Sequence, residues 1–238
     1  MSPDILVTGA SGGIGKALLK ALRARGEGRI IAVCRDRTGR AALDADLALA
    51  VDFETSRGWS QLARAIQSHQ IGYFFQLHGD AVPGDTLAPH FPARMQRLMT
   101  INLESVVRVL DLLLPGMAKR RFGRIVLCST ASAAHGGGAD SFAYGLSKAG
   151  IEYAVRHLAR HYSGSGIIAN AVAPGFIDTG FHGKRLRRKA VDLRRRAQRI
   201  PVGRAGRAED VAAAMLNLAF ENSFVAGQVL AVDGGDFV

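Results

Sequence analysis

Seven short apolar runs, rich in β-branched residues, punctuate this chain at 5–8, 29–34, 47–51, 73–77, 123–129, 167–172 and 228–232. Longer stretches of helical period lie between them near 14–25, 58–68, 92–117, 141–162 and 208–221, with a further candidate over 184–199. A helix inserted between two strands returns the chain to the end of the sheet where it started, so consecutive strands run parallel. The alternation predicts an α/β fold: a single doubly wound parallel sheet of about seven strands flanked by helices. In such a sheet the ligand crevice lies beyond the carboxyl ends of the strands. Residues that carry chemistry are therefore expected just after the apolar runs.

The 238 residues suit one large α/β domain, and neither a linker nor an internal repeat divides them. Before the first run stand only Met1-Ser2-Pro3-Asp4, with no charged leader, and no apolar stretch approaches the ~20 residues of a membrane span. A cytoplasmic protein is expected. Cys34 and Cys128 each end an apolar run and are expected as free buried thiols. The seven histidines show no ligand spacing that would hold a metal; His157 and His161 share a helix face but lack a third partner.

The first run leads into Thr8-Gly9-Ala10-Ser11-Gly12-Gly13-Ile14-Gly15 and then into a helical stretch. Glycines let backbone approach a pyrophosphate, and the N–H groups at a helix start hold its charge, which nominates Gly9, Ser11, Gly12, Gly13, Ile14 and Gly15. After the second run stands Arg35, with cysteine rather than a carboxylate at position 34, so NADP(H) is favoured over NAD(H). Asp52, after the third run, is placed either to accept from an adenine amino group or to cap a turn. Within the 141–162 helix, Tyr144 and Lys148 are four residues apart and share a face. A phenol is a weak acid until a nearby cation favours its ionised form, and Lys148 can supply that cation. Ser129 and Thr130 end the fifth run 14 residues before this tyrosine and face the same crevice.

These motifs, in this order, resemble the short-chain dehydrogenase/reductase family over nearly the whole chain. The resemblance rests on Thr8-Gly9-x-x-x-Gly13-x-Gly15, Asp52, Asn102, Ser129-Thr130, Tyr144-x-x-x-Lys148, Pro174-Gly175 and Asp233-Gly234-Gly235. It implies a Rossmann-like fold and hydride transfer between a nicotinamide and a carbonyl or alcohol carbon. Tyr144 would be the acid in reduction and the base in oxidation, and Lys148 would lower its pKa and hold the nicotinamide ribose. Asn102 would organise a proton relay to the lysine, and Pro174, Gly175, Ile177 and Thr179 would meet the nicotinamide end. The family's carbonyl-polarising serine aligns with Thr130, while Ser129 or Ser132 could take that role if the turn is shifted. Where the family shows Asn-Asn-Ala-Gly, this chain has Gln76-Leu77-His78-Gly79; Gly79 keeps the close approach and the asparagine contacts are lost. The family pairs into dimers or tetramers through its 92–117 and 141–162 helices and its last strand, so a homotetramer or homodimer is implied.

The net charge of +11 is concentrated in 184–199, where nine Lys or Arg face one acid, Asp192. The family resemblance makes this stretch part of a substrate lid around 176–199. Leu186, Ala190, Leu193 and Ala197 give it one apolar stripe. A basic lid suits an anionic substrate carrier such as coenzyme A or an acyl carrier protein, with Lys119, Arg120, Arg121 and Arg124 contributing if they lie close. The reaction on that view is NADPH-dependent reduction of a 3-oxoacyl thioester; free ketones, sugars and polycyclic alcohols are the other substrates considered. A nucleic-acid-binding protein or a catalytically silent cofactor sensor on the same fold is the competing class. A charge confined to one segment without interleaved aromatic residues argues against nucleic acid.

Overall fold

The seven apolar runs all form strands in the computed structural model, which describes residues 2–40, 43–87, 91–181, 183, 186–187 and 189–236. They are β1 (Asp4–Thr8), β2 (Ile30–Cys34), β3 (Leu47–Ala50), β4 (Ile71–Gln76), β5 (Gly123–Cys128), β6 (Ile167–Pro174) and β7 (Val229–Val232). Every pairing is parallel, in the order β3-β2-β1-β4-β5-β6-β7. The order reverses between β1 and β4, and the crevice of a doubly wound sheet opens at such a switch point.

Alternation within the strands explains why both faces are covered. Ile5 and Val7 of β1 pack with Leu18, Leu19 and Leu22 of α1 (Gly13–Arg25) and with Val211 and Met215 of a late helix, Ala208–Leu216. Leu6, between them, points the other way, into a second cluster with Ile31, Val33 and Phe74. Leu62 of α3 (Ser56–Ile66), Val109 and Leu113 of α5 (Ser105–Arg120) and Ile151 and Val155 of α7 (Phe142–Tyr162) close that side. A strand buried on both faces is apolar at nearly every position, as β2 and β6 are.

The remaining α-helices among the described residues are α2 (Arg37–Arg40), α4 (Phe91–Met99), α6 (Ser132–His135), α8 (Ala190–Gln198) and α9, the late helix just described. The stretch predicted as one helix over 92–117 is two, α4 and α5, joined by a π turn at Thr100–Glu104. A π turn inserts an extra residue and rotates the helix beyond it, and such turns recur at functional sites. The predicted 208–221 helix likewise ends in a π turn, Asn217–Glu221. Among the described residues no helix is long and apolar enough to cross a membrane, and Cys34 and Cys128 are free and buried.

Candidate active site

A cleft of about 820 Å³ runs along the carboxyl ends of the strands. Every site residue nominated above lines it except Asn102, which lies fully buried behind Gly79. At one end is the glycine turn. Gly9 has φ +76°, and a side chain there would meet the His78 backbone nitrogen at 2.4 Å, so β1 and β4 leave the sheet backbone against backbone. A methyl at Gly13 would stand 2.6 Å from Thr179 Cβ, which brings the turn against the loop after β6. Gly12 caps α1 without a side-chain bond, and no acid stands in the first turn. Bare N–H groups at the positive end of a helix, under a cradle that side chains would fill, fit the pyrophosphate of a dinucleotide.

Arg35 and Asp36 lie at the β2 end of the cleft, where Asp36 Oδ1 accepts the Gly39 N–H at 2.7 Å. Asp52 Oδ1 accepts the Glu54 N–H at 2.9 Å, so the turn-cap alternative is realised at a position still within the cleft.

Around Tyr144 the groups converge from four elements. Asp85, on the loop after β4, accepts the Tyr144 N–H on Oδ2 at 2.9 Å and the Phe142 N–H on its carbonyl at 3.1 Å, holding the start of α7. Its charge also suits the positive end of that helix. Burial pushes the Tyr144 phenol upward, the Cys128 thiol adds to this, and the Thr130 hydroxyl draws it back. Lys148 is buried, which lowers its pKa, and its ammonium donates to the Cys128 carbonyl at 2.7 Å. The lowering of the phenol that the resemblance assigns to Lys148 is not among these influences; desolvation outweighs them and favours the neutral phenol.

Of the three hydroxyls left open by the sequence, Thr130 is the one whose influence reaches the Tyr144 phenol, and it lines the same cleft. Ser129 turns into the protein, donating to Glu152 Oε1 at 2.8 Å, with the Lys148 carbonyl at 3.4 Å. Ser132 opens α6 and lines the cleft. Glu152 was not nominated from the sequence, although it stands four residues beyond Lys148, the same spacing that paired Lys148 with Tyr144.

The π turn positions Asn102. Its Oδ1 accepts the Asp80 N–H at 2.7 Å, and its Nδ2 donates to the Asp80 carbonyl at 2.9 Å and to Ser147 Oγ at 3.0 Å. The Ser147 hydroxyl then donates to the Tyr144 carbonyl at 2.7 Å. A methyl on Gly79 would stand 3.2 Å from Asn102 Oδ1 and 3.3 Å from Lys148 Nζ, so the glycine lets these two groups close on the β4 exit. The amide contacts expected to be lost at Gln76-Leu77-His78 are partly supplied by Gln76, whose Nε2 donates to the His78 carbonyl and whose Oε1 accepts the Cys128 N–H at 3.1 Å.

The opposite wall is the basic stretch. Of the residues predicted helical over 184–199, Ala190–Gln198 form α8, while Lys184, Arg185 and Arg188 lie outside the described residues. Leu186, Asp192, Leu193 and Arg196 line the cleft; Arg196 pairs with Asp236, and Lys189, Arg194, Arg195 and Arg199 are exposed. Lys119, Arg120, Arg121 and Arg124 do not extend this surface. They sit where α5 ends and β5 begins, at the amino ends of the strands, and Arg120 and Arg121 reach the carbonyls of Ile71 and Gly164 there. Among the described residues no group of three or more His, Cys, Asp or Glu could hold a metal ion; His90 and His182 lie outside them.

Comparison with known proteins gives this geometry a family. A family model described as "Enoyl-(Acyl carrier protein) reductase" matches residues 9–236. The chain is 32% identical over 240 residues to the 3-oxoacyl-[acyl-carrier-protein] reductase MabA of Mycobacterium avium, covering 99% of this chain and 90% of that protein. It is 29% identical to the 3-oxoacyl-[acyl-carrier-protein] reductase FabG of Vibrio cholerae, over 98% of this chain and 96% of that one. A crystal structure of a short-chain dehydrogenase/reductase family oxidoreductase from Burkholderia thailandensis superposes with a TM-score of 0.87 at 28% identity, covering 100% of this chain and 93% of that chain. With the glycine turn, the Tyr144/Lys148 pair and the Thr130 hydroxyl assembled on one cleft, the chain belongs to the short-chain dehydrogenase/reductase family of oxidoreductases.

Proposed function

We propose that the protein is an NADPH-dependent ketoreductase that converts a 3-oxoacyl thioester, carried on an acyl carrier protein or coenzyme A, into the 3-hydroxyacyl thioester. The observation that carries this reading is that the hydroxyl-bearing side chains of Thr130 and Tyr144 line one cleft with Lys148 and the glycine turn, a donor set that suits one carbonyl oxygen beside a dinucleotide. When bound there, a reduced nicotinamide dinucleotide would supply the hydride for the carbonyl carbon. Thr130 donates a hydrogen bond to the carbonyl oxygen, and Tyr144, kept protonated by burial, transfers its proton there as negative charge develops. The phenolate that remains is offset by the buried ammonium of Lys148, one helical turn away. Asn102 holds the β4 exit in place against that ammonium. Gly9, Ser11, Gly12, Gly13, Ile14 and Gly15 would hold the pyrophosphate, and Pro174, Gly175, Ile177 and Thr179 would hold the nicotinamide end. Arg35 suits the 2′-phosphate of NADP(H).

The substrate class draws on two supports: the names of relatives aligned over nearly the whole chain, and the exposed arginines of α8 beside the cleft, which form a lid suited to an anionic carrier. Exposed Val107 and Leu112 on α5, Leu146 and Tyr153 on α7 and Leu230 on the edge strand β7 support pairing into a homodimer or homotetramer through those elements. The test is turnover of an acetoacetyl thioester, measured by loss of nicotinamide absorbance with NADPH and with NADH. Free ketones and a 2-enoyl thioester are the comparisons, across rising salt. Preference for the oxo-thioester, weakening with salt, is the expected result. A thioester rate that exceeds no free ketone and ignores salt removes the carrier reading; turnover of the enoyl compound alone removes carbonyl reduction.

A further inference from the structure

His78 stands where the family shows alanine, and its surroundings give it a task. The side chain is buried beneath the cleft, with its ring 4.4 Å from that of Phe53. Nδ1 lies 2.7 Å from Thr8 Oγ1 and Nε2 lies 2.7 Å from Ser105 Oγ, two hydroxyls that are themselves buried. The Ser105 hydroxyl has one proton, and it is given to the Ile101 carbonyl at 2.5 Å. Ser105 must then accept from the imidazole, which puts the ring proton on Nε2 and leaves Nδ1 to accept from Thr8. Direction is thereby fixed along the whole relay: Thr8 to His78, His78 to Ser105, Ser105 to Ile101.

The two ends of this relay matter. Thr8 is the last residue of β1, immediately before the Gly9 turn, and Ile101 lies in the π turn immediately before Asn102. We propose that His78 is a positioning residue that ties the dinucleotide turn to the π turn carrying Asn102, as a neutral imidazole protonated on Nε2. A loose β1 exit would leave the turn in its binding geometry only part of the time, and the apparent dissociation constant rises in inverse proportion to that fraction. The inference rests on the reading that the glycine turn holds a dinucleotide.

The test uses the whole protein and does not depend on turnover. Dissociation constants for NADPH and NADH are measured by fluorescence titration for the wild type, Thr8→Val and His78→Leu, and the His78 tautomer is read by ¹⁵N nuclear magnetic resonance. Thr8→Val keeps shape and removes one donor, so it serves if His78→Leu fails to fold. Loss of one buried hydrogen bond is expected to weaken dinucleotide binding by up to about tenfold in Thr8→Val, and by more in His78→Leu. The resonance is expected to show Nδ1 unprotonated from about pH 5 to about pH 8, the range over which an ordinary imidazole titrates. Wild-type affinity retained in the folded variants, or a proton on Nδ1, overturns the inference alone. A wild type that binds neither dinucleotide overturns the functional reading and this one with it.

Discussion

The two walls of the cleft are built differently. On the Tyr144 side, side chains from the β4 exit, the π turn, β5 and α7 are joined by short bonds: Asp85 to Tyr144, Asn102 to Asp80 and Ser147, Ser129 to Glu152, Lys148 to Cys128. On the α8 side, Arg187, Lys189, Arg194, Arg195 and Arg199 are exposed to solvent among the described residues, and the Arg196–Asp236 pair ties the helix to the C-terminal segment. Buried polar groups joined by hydrogen bonds hold one geometry, whereas exposed charges act at a distance and are screened by salt. On the proposed function, proton transfer belongs to the rigid wall and choice of substrate to the wet one.

Substitutions on the rigid wall should act on kcat, and the largest effect is expected at the phenol. Tyr144→Phe removes the acid and should lower kcat about 10³-fold or more while dinucleotide affinity persists. Equal loss of affinity would mean that the ring is structural. Thr130→Ala should cost about 10²-fold in kcat/KM, as removal of a donor to developing oxyanion charge does elsewhere. Ser129→Ala should cost far less, because that hydroxyl faces Glu152; kinetics with the two variants exchanged in rank would reassign the donor. On the wet wall, Arg194→Glu/Arg195→Glu should lower the ratio of carrier-thioester to free-ketone kcat/KM by about tenfold at low salt and by little at high salt. A salt-independent ratio would take the lid out of recognition.

A further, smaller effect separates the walls by pH. Burial and the nearby Lys148 charge depress the His78 imidazole to about 3, against about 6.5 in an unfolded chain. Between those values the unfolded chain binds a proton that the folded chain refuses, so stability falls as pH falls. The slope is about 1.4 kcal/mol per pH unit, or about 2 kcal/mol from about pH 6.5 to about pH 5. Urea midpoints should show that slope in the wild type and a shallower one in His78→Leu. Variants of α8 should leave it unchanged.

Much of the rigid wall was legible in the sequence, because strand periodicity and motif spacing are local. All seven runs became strands, and the residues that end β1, β5 and β6 met in one cleft. What escaped was held by contacts between distant segments. The π turn leaves the amphipathic pattern of 92–117 intact, since one inserted residue rotates the second half without changing which residues are apolar. Asp85 caps a helix from a loop 59 residues before Tyr144, beyond the reach of capping rules that look at neighbours. His78 shows only as a departure from a family pattern, and its two hydroxyl partners lie 70 and 27 residues away. The grouping of Lys119, Arg120, Arg121 and Arg124 with the lid failed for the same reason: charge counts carry no position, and those residues stand at the far end of the strands.

The proposed function takes Tyr144, its phenol pushed up by burial, as the proton donor, and the pH dependence of kcat/KM for reduction of the oxo-thioester by NADPH tests that most directly. The expected result is a rate flat through neutral pH that falls only on the alkaline side, with the alkaline limb absent from the residual activity of Tyr144→Phe. A rate that falls through neutral pH, or a limb that survives removal of the phenol, would contradict it.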